Sequence, residues 1–124
     1  MADEKHFKIA VASSDGIVVN SHFGRAEKFY VYDAEEKDND IFLGERQCLQ
    51  AECICRQSEH DPGALAQKIQ LLADCQYVLV SRIGPGALQA LEEAGMEAYE
   101  LPGIIEESIH KLYQQIRIRR LFSK

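Results

Sequence analysis

The chain has 124 residues, enough for one domain with a buried core. It carries 14 basic and 20 acidic side chains, a formal net charge of −6, and 46% of its residues are hydrophobic. This composition excludes a disordered chain, and the negative charge argues against general nucleic-acid binding. No apolar run reaches the roughly 18 residues of a membrane span, and the first residues are too polar for a secretory signal. We therefore expect one cytoplasmic domain over residues 1–124, with flexible ends at 1–6 and 122–124 and no membrane or nucleic-acid partner.

The chain begins with a pattern typical of a buried strand. Residues 8–12 (KIAVA) form a short apolar run, and the Ser-Ser-Asp-Gly sequence at 13–16 predicts the turn that ends it. Residues 17–19 (IVV) add a second short β-prone segment.

An antiparallel hairpin follows. Residues 29–33 (FYVYD) are aromatic and β-branched, which predicts a strand. The charged residues 34–40 predict the turn, and residues 41 to about 48 predict the returning strand.

The second half alternates helices and strands. Residues 49–60 show no periodicity and predict a loop. The predicted elements after it are a helix that begins at 61–62 (Asp-Pro) and ends near Asp74, a strand at 77–81, a helix from 84–86 to just before Gly95, a strand at 97–100, and a helix with inward positions Ile105, Ile109, Leu112 and Ile116.

These elements predict an α/β fold with a mixed five-stranded sheet. The right-handed crossover rule makes the strands at 8–12, 77–81 and 98–99 parallel neighbours, and the hairpin then occupies the other edge. Helices cover the two faces. Binding sites in such sheets lie at the carboxyl ends of the parallel strands, here residues 13–15, including Ser14, and residues 81–84.

His22 is the first residue of chemical interest. It lies in residues 20–26 (NSHFGRA), which lead away from the first strand, and Asn20 and Gly24 permit tight backbone geometry around it. An imidazole there suits a metal ligand or a proton carrier. The alternative is a loop histidine with only a structural hydrogen bond.

The predicted loop concentrates possible soft ligands. Cys48, Cys53, Cys55 and His60 fall within 13 residues. Thiolates favour zinc, copper(I) and iron–sulfur species, although this spacing matches neither a standard zinc motif nor a Cys-x-x-Cys redox pair. The alternative is a set of loop cysteines without a ligand, and Cys75, before a buried strand, is predicted to pack in the core.

The segment at 81–86 (SRIGPG) lacks the ending of a phosphate-binding loop and predicts a tight strand-to-helix turn. Its helix amides, with Arg25 and Arg82 nearby, still suit an anion. The sequence has no converging carboxylates for a two-metal nuclease and no hydrolase elbow. We therefore expect a protein that holds a ligand and does not act as an enzyme.

Taken together, several segments resemble the dinitrogenase iron–molybdenum cofactor-binding family, which includes NifX-like proteins and the C-terminal domain of NifB. The resemblance runs over about residues 8–113. It rests on KIAVA at 8–12, N-x-HFGRA at 20–26, FYVY at 29–32, LADC at 72–75, IGPGA at 83–87 and LEEAGM at 91–96.

The resemblance implies a ribonuclease H-like fold and non-catalytic carriage of an iron–sulfur or iron–molybdenum cluster, either the cofactor or its precursor. It implies that His22 is a ligand and places Cys53 and Cys55 in a region where NifB-like members carry cysteines, although their spacing here differs. The predicted site is His22, Asn20, Gly24, Arg25 and Ser14 for the cofactor, with Cys48, Cys53 and Cys55 joining His22 at the metal.

Nitrogenase assembly proteins are the partners that the resemblance implies. Two other interpretations stay open: a sensor or storage module for a single zinc, copper or molybdenum ion, and an assembly module that binds partners without metal.

Overall fold

The computed structural model describes residues 5–51 and 62–122 of the chain. Its elements in order are β1 (Lys5–Ala12), β2 (Val18–Val19), a 3₁₀ turn (Phe23–Arg25), β3 (Lys28–Lys37), β4 (Asp40–Gln50), α1 (Pro62–Leu71), β5 (Tyr77–Val80), α2 (Pro85–Glu93), β6 (Glu97–Glu100), β7 (Gly103–Ile104) and α3 (Ile105–Phe122).

The main sheet confirms the predicted topology. Its strand order is β4-β3-β1-β5-β6. The central strand β1 pairs in parallel with β5, and β5 pairs in parallel with β6. On the other side, β3 and β4 form the antiparallel hairpin. The carboxyl ends of β1, β5 and β6 therefore meet at one edge of the sheet.

The hairpin is longer than the charge pattern predicts. Residues 34–37 continue β3, and the turn is confined to Asp38 and Asn39, whose φ angles are 55° and 62°. The turn prediction for residues 34–37 is wrong because Ala34 is buried and Glu36 accepts hydrogen bonds from Tyr113 (2.6 Å) and Arg120 (2.7 Å) on α3. Charge in this stretch marks contacts with a helix, and it does not mark a loop.

Two hydrophobic layers cover the sheet. One face packs α1 and α2 over Phe29, Val78 and Leu72, and the other packs α3 over Ile9 and Leu79. All five of these side chains are fully buried, and burial of each contributes about 1.5–3 kcal/mol. Cys75 belongs to the first layer, as predicted, and burial raises the pKa of its thiol to about 11.

Some boundaries differ from the sequence-based prediction. Helix α1 ends at Leu71, three residues before the predicted Asp74. The short strands β2 and β7 form a separate two-stranded sheet, which the sequence pattern did not indicate. Lys5 and His6 belong to β1 and Phe122 is the last residue of α3, while residues 1–4 and 123–124 lie outside the described part.

The geometry of the two-residue turn between β3 and β4 can be tested by substitution at Asn39. A two-residue turn with positive φ at both positions favours glycine at the second. Asn39→Gly should therefore raise the free energy of unfolding by up to about 1 kcal/mol, and Asn39→Ala should lower it by about 1 kcal/mol, because a Cβ is strained there. Urea denaturation of the two variants measures both effects. Equal stability of the glycine and alanine variants would contradict this turn geometry.

Candidate functional site

Residues 20–23 lie at the carboxyl ends of the central strands. The Ser21 amide donates to the Ala12 carbonyl at the end of β1 (3.3 Å), and the Ser81 amide after β5 donates to the Ser21 carbonyl (3.0 Å). The segment is thus inserted between the two strand ends and continues the sheet locally. The Phe23 amide then donates to the Arg82 carbonyl (2.9 Å).

His22 is held within this insertion. Its backbone forms a parallel bridge with Arg82, and its carbonyl accepts the Arg25 amide of the 3₁₀ turn (3.2 Å). The side chain is exposed. Within residues 5–51 and 62–122, no side-chain hydrogen bond of the imidazole is found, and it does not cap the 3₁₀ turn. The backbone is therefore fixed while the ring nitrogens remain open to a ligand from solvent.

Phe23 anchors the turn from below. Its ring is fully buried in the α1–α2 layer and packs against Phe29 at 5.7 Å between ring centroids. Because neighbouring residues of an extended segment point to opposite sides, burial of Phe23 directs His22 outward.

Lys68 is a site residue that the sequence analysis missed. It lies on α1, and its side chain is only 3% exposed. Its Nζ donates to the carbonyls of Phe23 (3.0 Å) and Gly24 (2.7 Å) and lies 5.8 Å from the Phe23 ring centroid. The available signal was helical spacing, which places Lys68 on the same face as Leu65 and Leu72.

Ser14 and Asn20 are brought together as neighbours. The Ser14 amide donates to Asn20 Oδ1, and Asn20 Nδ2 donates to Ser14 Oγ, both at 3.0 Å. Asn20 Oδ1 also accepts the Ser21 hydroxyl (3.1 Å). This exchange links the turn after β1 to the segment that carries His22.

The turn after β1 is further organised by Asp15. Its Oδ1 accepts the amides of Ile17 (2.9 Å) and Val18 (3.2 Å), and these bonds lower the pKa of the carboxyl. Gly16 has φ 76°, and an added Cβ would lie 3.1 Å from the Tyr30 ring. Arg46 on β4 donates to the Gly16 carbonyl (3.0 Å), a contact that nothing in the sequence indicated.

The strand-to-helix turn after β5 faces the same edge. Arg82 is exposed, and Gly84 is the N-cap of α2 without a side-chain cap bond. A Cβ built at Gly84 meets nothing within 4 Å. Free amides at a helix start attract anions. The Ile83 amide is already used, because it donates to Glu100 Oε2 (2.9 Å).

The predicted cysteine ligands divide into two groups. Cys53, Cys55 and His60 lie outside the described residues. Cys48 is exposed on β4, where it pairs with Tyr30 and faces the α3 side of the sheet. Since β3 lies between β4 and β1, the backbone of β4 is about 10 Å from the backbone of β1. The structure does not bring Cys48 into contact with His22.

The described chain on either side of residues 52–61 is connected to the segment that follows His22. The Ala51 amide donates to the Glu27 carbonyl (2.7 Å), one residue after the buried Ala26. The chain re-enters the described part at Pro62, the first residue of the helix that carries Lys68. Within the described ranges, no three His, Cys, Asp or Glu side chains converge as a metal site. Likewise, no helix there is long and apolar enough to cross a bilayer.

The acidic turn gives a prediction for pH dependence. Because the folded state lowers the pKa of Asp15, its carboxylate stabilises the fold above the unfolded pKa of about 3.9, and this contribution disappears as pH falls through the lower folded value. Wild type should exceed Asp15→Asn in free energy of unfolding by a constant amount near pH 7, and the difference should shrink below about pH 4. Urea unfolding at several pH values measures it, and a pH-independent difference would contradict the assignment.

Comparisons with known proteins agree on one family. Residues 5–115 match the family described as dinitrogenase iron-molybdenum cofactor. The FeMo cofactor biosynthesis protein NifB of Frankia alni is 34% identical over 113 residues, which cover 84% of this chain and 20% of that protein. Protein NifX of Klebsiella pneumoniae is 27% identical over 117 residues, which cover 94% of this chain and 69% of that protein. The chain thus spans about a fifth of the Frankia alni NifB.

A solved structure supports the fold. The crystal structure of PH0822 has a TM-score of 0.61 with 17% sequence identity, over 87% of this chain and 91% of that chain. At this identity, the likeness concerns the arrangement of helices and strands alone.

Proposed function

The chain belongs to the dinitrogenase iron–molybdenum cofactor family, and we propose that it binds and carries an iron–sulfur or iron–molybdenum cluster during cofactor biosynthesis, without catalysing a reaction. The names of its relatives, FeMo cofactor biosynthesis protein NifB and Protein NifX, support the biosynthetic context. In this proposal the cluster is cargo, either the iron–molybdenum cofactor or its precursor.

The exposed imidazole of His22 is the observation that carries the proposal. Backbone hydrogen bonds to both central strands fix its position, while its ring nitrogens have no partner within the part of the chain that the structure describes. A neutral imidazole is a good ligand for iron. A fixed backbone with a free ring suits a ligand that must accept a cluster and later release it.

The charges around His22 suit an anionic cargo. Clusters ligated by sulfide carry negative charge, which nearby cations and backbone amides stabilise. Arg25 ends the 3₁₀ turn, Arg82 is bridged to His22, and α2 begins three residues after Arg82. The carboxylates of Asp15 and Glu100 at this edge are held by backbone amides.

The remaining predicted residues have distinct proposed roles. Asn20 and Ser14 hold the turn after β1 against the His22 segment, and Gly24 gives the 3₁₀ turn its close contact with Lys68. Cys53 and Cys55 are proposed to complete the ligand set, since Ala51 before their segment is hydrogen-bonded to Glu27 and the helix after it carries Lys68, which contacts the 3₁₀ turn. Cys48 stays a proposal with weaker support, because it faces the α3 side of the sheet.

The proposal also includes a fold motif, a cellular location and a class of partner. The order of the five main strands is compatible with a ribonuclease H-like motif. We place the protein in the cytoplasm, where cysteines stay reduced and available as ligands. Its proposed partners are nitrogenase assembly proteins.

Anaerobic reconstitution tests the proposal. Purified protein incubated with ferrous iron and sulfide should retain iron and acid-labile sulfide and turn brown. His22→Ala should bind iron at least roughly tenfold more weakly, since even a change beside a ligand commonly costs that much. His110→Ala is the matched control, because His110 is also exposed but lies on α3. Equal uptake by wild type and both variants would remove His22 from the site.

Elemental analysis separates this proposal from the other interpretations. Iron with stoichiometric acid-labile sulfide in protein purified without oxygen supports a cluster. One zinc, copper or molybdenum ion without sulfide would overturn it in favour of a single-metal module. Absence of metal in both experiments would favour a module that binds partners only.

A further inference from the structure

We infer that Lys68 is a positioning residue that locks the His22 turn onto α1 and gives the site its preference for anionic cargo. The second half of this inference rests on the proposed function. The first half concerns the protein alone and can be tested without any cargo.

The contacts of Lys68 are specific. Two of its three N–H donors reach the carbonyls of consecutive residues, Phe23 at 3.0 Å and Gly24 at 2.7 Å. These residues follow His22 directly. Because the side chain is 97% buried, water does not readily replace these bonds. An apolar side chain at position 68 would leave two carbonyls of the turn without this donor.

The charge of Lys68 is also unusual. Among the residues that the structure describes, no carboxylate forms an ion pair with its Nζ, which contacts only two carbonyls and the face of the Phe23 ring. A buried cation is costly, and carbonyl dipoles compensate its charge only in part. Solvent screens such a charge weakly, so its positive potential extends to the turn above it.

The position of Lys68 in the chain adds a mechanical consequence. Helix α1 begins at Pro62, directly after residues 52–61, and Lys68 lies two turns into it. The ammonium group therefore connects the turn that presents His22 to the helix that follows Cys53 and Cys55.

The variant Lys68→Met separates the effect of Lys68 on stability from its effect on the turn. Lys68→Met removes the cost of burying an ammonium group, but it leaves the carbonyls of Phe23 and Gly24 without this donor, which is costly for a buried acceptor. We therefore expect Lys68→Met to fold, with a melting temperature below that of wild type. Its effects should appear in the dynamics of the turn and in the choice of ligand.

Hydrogen exchange tests the anchoring. In protein without cargo, the Phe23 and Arg25 amides report on the turn, since they bond the carbonyls of Arg82 and His22. Their exchange should be at least tenfold faster in Lys68→Met and close to wild type in Lys68→Arg. Lys37→Met controls for the loss of one positive charge, because Lys37 lies at the end of β3, far from the 3₁₀ turn. Unchanged exchange in Lys68→Met overturns the inference whether or not any cargo binds.

Two probes of opposite charge test the preference. Wild type, Lys68→Met, Lys68→Arg and Lys37→Met are titrated with the tetrathiomolybdate dianion and, separately, with Co²⁺. Lys68→Met should reduce the ratio of dianion affinity to Co²⁺ affinity about tenfold, while Lys68→Arg and Lys37→Met should preserve it. A loss of both affinities by the same factor would show that Lys68 acts only through position and would overturn its electrostatic role.

The exchange experiment and the titration experiment distinguish failure of this inference from failure of the proposed function. If wild type binds neither probe and takes up no cluster, the proposed function and the charge preference fail, while faster exchange in Lys68→Met still establishes the anchor. If Lys68→Met fails to fold, Lys68→Gln repeats both experiments. The glutamine amide of this variant can donate a hydrogen bond but has no charge. Slow amide exchange in Lys68→Gln together with a lost preference for the dianion supports the inference. An unchanged preference for the dianion in this variant overturns it.

Discussion

The insertion of residues 20–23 between the ends of β1 and β5 is the constraint on which the candidate site depends. Three backbone hydrogen bonds hold this segment, and two of them join Ser21 to Ala12 and to Ser81. They pair backbone groups that would otherwise be left unpaired where the two parallel strands end. A loop in this place satisfies its polar backbone groups by continuing the sheet. The result is an exposed His22 on a backbone that is hydrogen-bonded as a strand is.

The rest of the fold supports this arrangement from both sides. Beneath the turn, Phe23 enters the core and Lys68 holds two successive carbonyls. Beside it, Asn20 ties the turn after β1 to the same segment. The ring of His22 is left free while its neighbours are fixed, so a bound cluster would gain one firm contact and could still be released. Such a division between rigid backbone and available ring suits a carrier of a metal cluster better than a permanent metal centre.

Apolar runs, β-propensity and helical periodicity predicted the strands and helices, and the right-handed crossover rule then gave the five-stranded topology. Charge misled the prediction at residues 34–37, where Glu36 bonds a helix more than 70 residues away. Lys68 was missed for a similar reason: a lysine on an apolar helix face has no meaning until the carbonyls it meets are known. Motif and topology together indicated where His22 lies, but its contacts with Arg82 depend on pairing between distant strands, which no local pattern encodes.

The most direct test of the central claim, that the free imidazole of His22 ligates a cluster, is pulsed electron paramagnetic resonance on reduced protein reconstituted with iron and sulfide. Protein labelled with ¹⁵N only in histidine should show hyperfine coupling between the cluster and one imidazole nitrogen. That coupling should vanish in His22→Gln and persist in His110→Gln. A cluster signal without histidine coupling in wild type, or with the same coupling in His22→Gln, would contradict the account.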